Sequence, residues 1–157
     1  MYKRLMVPLD GSTVAECVLP HLETLAQSCK EPPEIVLVRA VEPISVPVGR
    51  ELSRFGSLDE VTDFEAHQRT DAEKYLKEKV EFLNQRGFKT RPEIVVGKAS
   101  SALAEFASTG SFDLIIIATH GRSGVSRLVF GSVAEHILRT VTIPVLVVRA
   151  LPPRTAT

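Results

Sequence analysis

The residues best suited to chemistry in this sequence form a glycine-rich segment late in the chain. Gly121 and Gly124 follow an apolar run at residues 113–118, and Gly131 with Ser132 precedes a stretch of helical period. A strand, a glycine turn and a helix in that order present backbone N–H groups to an anion at a helix N-terminus. Ser132 is also expected to cap that helix. The segment predicts a phosphate-binding turn, with glycine used for turn geometry alone as the alternative.

The charge balance excludes some classes of partner. Lys and Arg together number 19, as do Asp and Glu, so the chain has no net charge. A neutral chain has no overall field to attract nucleic acid or an anionic membrane, and we expect neither partner. The final quarter is nevertheless basic, and Arg122 and Arg127 are its two arginines near the glycine turn.

Catalytic machinery is not evident beside the turn. A general base needs an orienting partner, and His120 in the turn has no neighbouring acid in the sequence. The sequence contains neither a Walker A loop nor a strict dinucleotide-binding fingerprint. His21 and His67 lack metal-ligand spacing, and His136 is expected on the exposed side of its helix. These residues favour a binding protein over an enzyme.

The elements that would position the turn alternate between strand and helix. Short apolar runs predict five strands, at residues 5–9, 34–40, 90–96, 113–118 and 144–149. Strict alternation predicts a doubly wound α/β sheet of parallel strands, flavodoxin-like or Rossmann-like, with strand order 3-2-1-4-5. Ligands of such sheets bind outside the carboxyl ends of the strands, where the order reverses. The candidate site therefore joins Asp10, after the first strand, to the turn after the fourth.

Four helices are expected between the strands. The first begins at Thr13, whose spacing to Glu16 suits a capping box, and Pro20 predicts a kink or a later start. The others are predicted at residues 59–86, 100–108 and 132–140. Their inward positions are expected to be Val61, Phe64, Ala72, Leu76, Val80 and Leu83 in the long helix and Ala134, Ile137 and Leu138 in the last.

Length and composition fit one domain. The chain has 157 residues, of which 44% are hydrophobic and 24% charged, unlike a disordered chain. We assign residues 1–150 to the domain and residues 151–157 to a tail. Cys17 and Cys29 are too few for a disulfide framework or a metal site. Without a long apolar run, the sequence predicts a cytoplasmic protein. Residues 42–58 predict an irregular segment, either a solvated linker or a lid over a ligand.

Three stretches resemble the universal stress protein family, and the resemblance covers almost the whole chain. They are residues 7–12 (VPLDGS), 118–136 (ATHGRSGVSRLVFGSVAEH) and 144–149 (PVLVVR). The nucleotide-binding members carry Gly-x₂-Gly-x₉-Gly-[Ser/Thr], which Gly121, Gly131 and Ser132 match, whereas Ala118 replaces the first glycine. Because a methyl group there narrows the approach of a ligand to the backbone, a nucleotide-free regulator stays open beside a nucleotide-binding one.

The resemblance implies the adenine-nucleotide alpha-hydrolase-like version of this fold and a stress-response regulator that binds ATP, ADP or AMP as a switch. A slow ATPase is a further alternative. Asp10 would lie by the ribose or a Mg²⁺ ion on the phosphates, unless it only caps its own turn. The backbone of Ala40 and Val41 would meet the adenine. The other nucleotide-binding residues that it implies are Pro8, Ala118, His120, Gly121, Arg122, Gly124, Gly131, Ser132 and Val133.

The last predicted strand, residues 144–149, bears on assembly. Val145, Val147 and Val148 would end the sheet, and an uncovered apolar edge invites pairing with a second copy. The resemblance also points to a homodimer. A dimer suits both a nucleotide switch and a nucleotide-free interaction protein, and the protein partner of either is not identified by the sequence.

Overall fold

A computed structural model describes residues 2–44, 58–120 and 131–150, apart from the side chains of residues 58–61 and 120. Five parallel strands form one sheet in the order β3-β2-β1-β4-β5, which confirms the predicted order. The strands are β1 Arg4–Pro8, β2 Glu34–Val41, β3 Lys89–Val96, β4 Leu114–His120 and β5 Val145–Ala150.

Helices cover both faces of the sheet. They are α1 Thr13–Glu16, α2 Leu19–Gln27, α3 Leu58–Gln85, α4 Ala99–Thr109 and α5 Ser132–Thr140. The first three pack on one face, where Leu5 and Leu37 meet Leu22 and Leu76. The other two pack on the opposite face, where Met6 and Val36 meet Leu103 and Ile137. Alternate residues of each central strand thus enter two separate apolar layers, as a sheet covered on both sides requires. Within the described ranges, no helix has the length and apolar character needed to cross a bilayer.

The first helix differs from its prediction. Ser12, rather than Thr13, is the N-cap, because its hydroxyl accepts the Ala15 N–H at 3.0 Å. The helix ends at Glu16 and a second one begins at Leu19, with Pro20 in its first turn, where the missing N–H costs no hydrogen bond. The predicted interruption at the proline is confirmed, but the predicted capping box is wrong, because with Ser12 as the N-cap the N3 residue is Ala15 rather than Glu16.

Two predicted core positions are exposed. Ala72, Leu76 and Leu83 are fully buried along α3, but Phe64 is 43% exposed. The 28 residues of α3 span about 42 Å, whereas the 8 residues of β2 and of β3 span about 26 Å. The first half of the helix therefore extends beyond the strands. Leu138 is 39% exposed, because it lies about 100° around α5 from the inward Ile137.

Candidate functional site

A crevice of about 290 Å³ opens at the carboxyl edge of the sheet, around the ends of β1 and β4. The strand order reverses at this point, since β1 leads outward to β2 and β4 leads the other way to β5. Seven residues predicted from the sequence line the crevice, namely Pro8, Asp10, Ala40, Ala118, Gly131, Ser132 and Val133. The fold thus brings together segments that are up to 125 residues apart in the sequence (from Pro8 to Val133).

The remaining predicted residues lie elsewhere or outside the description. The Val41 carbonyl accepts the Gly97 N–H at 3.0 Å, and Val41 lines a separate hollow. The backbone of His120 pairs with Ala150 in the sheet, and its side chain lies outside the description. Three other residues of the predicted turn, Gly121, Arg122 and Gly124, lie outside the described residues, as do most of residues 42–58.

The N-terminus of α5 faces the crevice without a side-chain cap. Gly131 is its N-cap and Ser132 its first helical residue, so the prediction that Ser132 caps the helix is wrong. Gly131 has φ −58° and ψ 154°, a conformation open to any residue. A Cβ built on it meets no described atom within 4 Å. Among the described residues, neither backbone strain nor packing requires a glycine here, and the position leaves room for the close approach of a ligand.

Thr119 is a polar residue of the crevice that the sequence did not single out. It is 6% exposed, and its Oγ1 accepts the Gly131 N–H at 3.4 Å. This long hydrogen bond ties the end of β4 to the start of α5 across the glycine turn. Threonine is common in strands, so nothing in its sequence position marked it.

The N-terminus of α4 lines the opposite end of the crevice, through Ala99 and Leu103. The N-cap Lys98 makes no side-chain cap. Instead, Glu42 Oε1 accepts the Ala99 N–H at 2.8 Å from a position 57 residues earlier. Together with Ala40, these alanine and leucine side chains make this end apolar.

The loop after β1 has an internally stabilised turn. Asp10 Oδ1 accepts the Ser12 N–H at 2.8 Å, so the turn-capping role that was the alternative for Asp10 is observed. Among the described residues, only Ser12 donates to this carboxylate, which is exposed at the rim of the crevice. Gly11 has φ +90°, and a Cβ on it would lie 3.3 Å from Arg39 Nη1. Glycine is favoured at this position by its backbone conformation, while the nearby Arg39 group is the end of a flexible side chain.

A polar cluster fastens this loop to the helices behind it. Tyr75 Oη donates to Glu16 Oε1 at 3.0 Å, and Lys79 Nζ lies 2.8 Å from Glu16 Oε2. The Arg39 guanidinium stacks 5.5 Å from the centre of the Tyr75 ring. Burial, and then the hydrogen bond to Glu16, raise the pKa of Tyr75, so the phenol stays neutral. The cluster joins α1, β2 and α3 directly behind Asp10.

Comparison with known proteins relates the whole chain to one family. A sequence model described as the universal stress protein family matches residues 1–149. The universal stress protein MJ0531 of Methanocaldococcus jannaschii is 30% identical over 149 residues, which cover 95% of this chain and 83% of the relative. MJ0577 of the same organism is 27% identical over 157 residues, covering 95% and 96% of the two chains.

Solved structures share the fold. The structure of MJ0577 matches with a TM-score of 0.69 at 28% identity and covers 96% of this chain and 98% of that one. A universal stress protein in complex with cAMP matches at 0.64 and 23% identity, covering 94% and 97%. An Arabidopsis thaliana family protein with AMP bound matches at 0.69 and 15% identity, covering 99% and 96%. At the last two identities, the likeness shows the fold alone.

Proposed function

The chain belongs to the universal stress protein family, and from that premise we propose that its crevice binds an adenine nucleotide as a switch in the stress response. One observation carries the proposal: a single crevice joins the uncapped N-terminus of α5, with open space beside Gly131, to an apolar end. The first suits a phosphate group and the second a planar base. The volume of about 290 Å³ is near the lower end of ligand sites.

We orient the nucleotide by these two ends. The phosphates lie against the backbone N–H groups of Ser132 and Val133, where the helix dipole favours negative charge. In the proposal, His120, Gly121, Arg122 and Gly124 complete the phosphate site from the glycine turn. The base lies towards Ala40, whose neighbour Val41 already uses its carbonyl in the sheet. Adenine is chosen because AMP and cAMP are the ligands of the two structures of the same fold.

Ala118 is compatible with this arrangement. Its methyl group packs against the apolar layer of α1 and α2, whereas α5 lies on the opposite face of the sheet. The extra methyl therefore points away from the helix N-terminus that receives the phosphate. This geometry favours nucleotide binding over the nucleotide-free alternative, although the crevice still includes Ala118 in its lining.

Mg²⁺ belongs to the proposal when the ligand is ATP. Asp10 offers one exposed carboxylate at the rim, with Oδ1 held by Ser12. Mg²⁺ takes oxygen ligands and keeps several waters beside one carboxylate and the phosphates, so Oδ2 of Asp10 fits such an ion. When bound, the ion would neutralise phosphate charge; Asp10 itself holds and orients it.

We also place the switch in a cytoplasmic homodimer that acts on a protein partner. β5 lies at the edge of the sheet, and Val145, Leu146 and Val147 are only half-buried in a single chain. Pairing of residues 144–149 with a second copy would cover this edge. Sedimentation velocity at micromolar concentration is expected to show a dimer, and a monomer would contradict the pairing.

Isothermal calorimetry with AMP and with ATP plus Mg²⁺ tests the function. Gly131→Val is expected to weaken AMP binding about a hundred-fold, near 2.7 kcal/mol, because its methyl groups fill the space of the phosphate. Gly131→Ala is the graded control, with a smaller loss. Both variants should keep the melting temperature, since the space is open and the conformation is allowed. The absence of heat with the unmodified protein would favour the nucleotide-free regulator.

A further inference from the structure

We propose that Glu42 is a specificity-determining residue of the crevice, whose carboxylate occupies the N-terminus of α4 and confines anionic groups to the N-terminus of α5. The inference deepens the proposed function and rests on it. It assigns a role to a residue that precedes the long segment after β2 and that contacts the crevice only through the backbone of Ala99.

The two helices present equivalent ends to one crevice. The start of α4 contributes Ala99 and, one turn further along, Leu103, and the first turn of α5 contributes Ser132 and Val133. Neither helix has a side-chain cap from its own N-cap residue. By the helix dipole alone, both ends would attract an anion, and a phosphate-bearing ligand would have two competing orientations.

Glu42 breaks this equivalence. Its Oε1 accepts the Ala99 N–H at 2.8 Å, so an incoming anion at α4 finds that donor used and a carboxylate at contact distance. The charge of Glu42 is exposed and partly screened. The N-cap residue Lys98 is exposed and carries a positive charge, which would add to the attraction for anions at this helix end if Glu42 were absent. The Glu42 carboxylate thus determines which end of the crevice accepts an anion, and this preference is the polarity of the crevice.

The polarity defines a class of ligand. A molecule with its anionic group at one end and a neutral, apolar group at the other satisfies both ends, as a nucleoside phosphate with an unmodified base does. A molecule that carries anionic groups at both ends meets the Glu42 carboxylate. We therefore expect the crevice to reject ligands with a second charge on the base side.

Backbone amide NMR with inorganic phosphate as the probe tests the role of Glu42. In the unmodified protein, the amides of Ser132 and Val133 are expected to shift on titration, while the amide of Ala99 stays unchanged. In Glu42→Ala, the Ala99 amide should also shift. Its apparent Kd for phosphate should be about ten-fold below the highest phosphate concentration that leaves the Ala99 amide unchanged in the unmodified protein. Glu105→Ala removes an exposed carboxylate from the same helix away from its N-terminus and is the matched control, in which Ala99 stays unchanged.

Glu42→Gln separates charge from hydrogen bonding. Its amide oxygen still accepts the Ala99 N–H, so the helix keeps its cap, and the response of Ala99 is expected to fall between those of the unmodified protein and Glu42→Ala. An Ala99 response of equal strength in all four proteins overturns the inference, as does an Ala99 amide that stays silent in both Glu42 variants. If the amides of Ser132 and Val133 do not shift with phosphate or AMP, the proposed function is contradicted. The comparison of the Ala99 amide between the variants still tests the role of Glu42.

Discussion

The two ends of the parallel sheet use their polar groups in opposite ways. At the amino end, the chain pairs its own charges: Glu34 lies 3.0 Å from Arg4 and 3.4 Å from Arg91. Asp113 accepts the N–H groups of Lys3 and Arg4 at 2.7 and 2.9 Å. The Arg4 and Asp113 contacts hold β1 to β2 and to the start of β4, and the Arg91 contact holds β2 to β3.

At the carboxyl end of the sheet, polar groups are available to a ligand. Among the residues that the structure describes, no side chain caps the first turn of α5 and no atom lies within 4 Å of a Cβ built on Gly131, and the Asp10 carboxylate is exposed. A sheet of this kind has its loops and helix N-termini at the carboxyl end. We infer from this difference that the amino end supports stability, and under the proposed function the carboxyl end supports binding; mutations can test that division.

Beyond the Gly131 variants, the largest expected effect is on stability, at the amino end. Glu34→Ala should lower the free energy of unfolding by about 2 kcal/mol, because two half-buried guanidinium groups lose their carboxylate. Denaturant unfolding measures the change, and Glu105→Ala, at an exposed position, should stay within about 0.5 kcal/mol. AMP affinity should be unchanged; a ten-fold loss of affinity in Glu34→Ala would break the division.

The next effect is on binding, at the carboxyl end. Thr119→Val should raise the Kd for AMP about ten-fold, since the hydroxyl that holds the Gly131 N–H is lost and the first turn of α5 is less well positioned. Adenosine, which lacks the phosphate, should bind as before, and Thr119→Ser should restore AMP binding. Calorimetry with both ligands checks this. An equal loss for adenosine and AMP would assign Thr119 a purely structural role.

The smallest effect concerns Asp113 and pH. The N–H groups of Lys3 and then Arg4 lower the pKa of this carboxyl below its usual value. Because the pKa is lower in the folded state, the stabilisation is present above the unfolded pKa of about 3.9 and is lost as the pH falls through the folded pKa. Asp113→Asn should therefore cost about 1 kcal/mol at pH 7, since the side chain is exposed and screened.

Denaturant unfolding over a range of acidic pH values checks the sign. The stability difference between the unmodified protein and Asp113→Asn should shrink as the pH falls below about 4. A difference that grows towards low pH would mean that the carboxylate is not what Lys3 and Arg4 recognise. AMP affinity, measured at pH 7, should again be unaffected by this change at the amino end.

Much of the fold follows from local patterns in the sequence. Alternating apolar runs and helical periods predicted all five strands, because hydrophobic periodicity is a local property, and the strand order followed from the fold type that strict alternation indicates. The incorrect predictions concern residues whose burial or capping is set by neighbouring elements. Phe64 belongs to the predicted stripe of α3 but extends past the strands, and Ser12 rather than Thr13 reaches the N–H of Ala15. Such details depend on the relative lengths of neighbouring elements and on the angles at which the chain joins them, which no single segment of the sequence encodes.

The residues of the candidate site likewise divide into those predicted from the sequence and those found only in the structure. Asp10 and Gly131 were predicted because the reversal of strand order marks a place at which loops must converge, and Ala40 was predicted from the family resemblance. Thr119 and Glu42 were not, because their partners are 12 and 57 residues away. A threonine in a strand and a glutamate after one are both ordinary in a sequence. They belong to the candidate site because the fold brings them within hydrogen-bonding distance of Gly131 and Ala99.

By itself, the sequence determined the family, the layer architecture and the edge of the sheet that carries the candidate site. These follow from apolar periodicity and glycine spacing, which act over a few residues. The tertiary structure decided which helix N-terminus faces the crevice uncapped. The N–H of Ala99 is satisfied by Glu42, from another part of the chain, while the described part of the chain supplies no such partner at Ser132. Hydrogen bonds between distant segments exist only once the fold has brought them within about 3 Å.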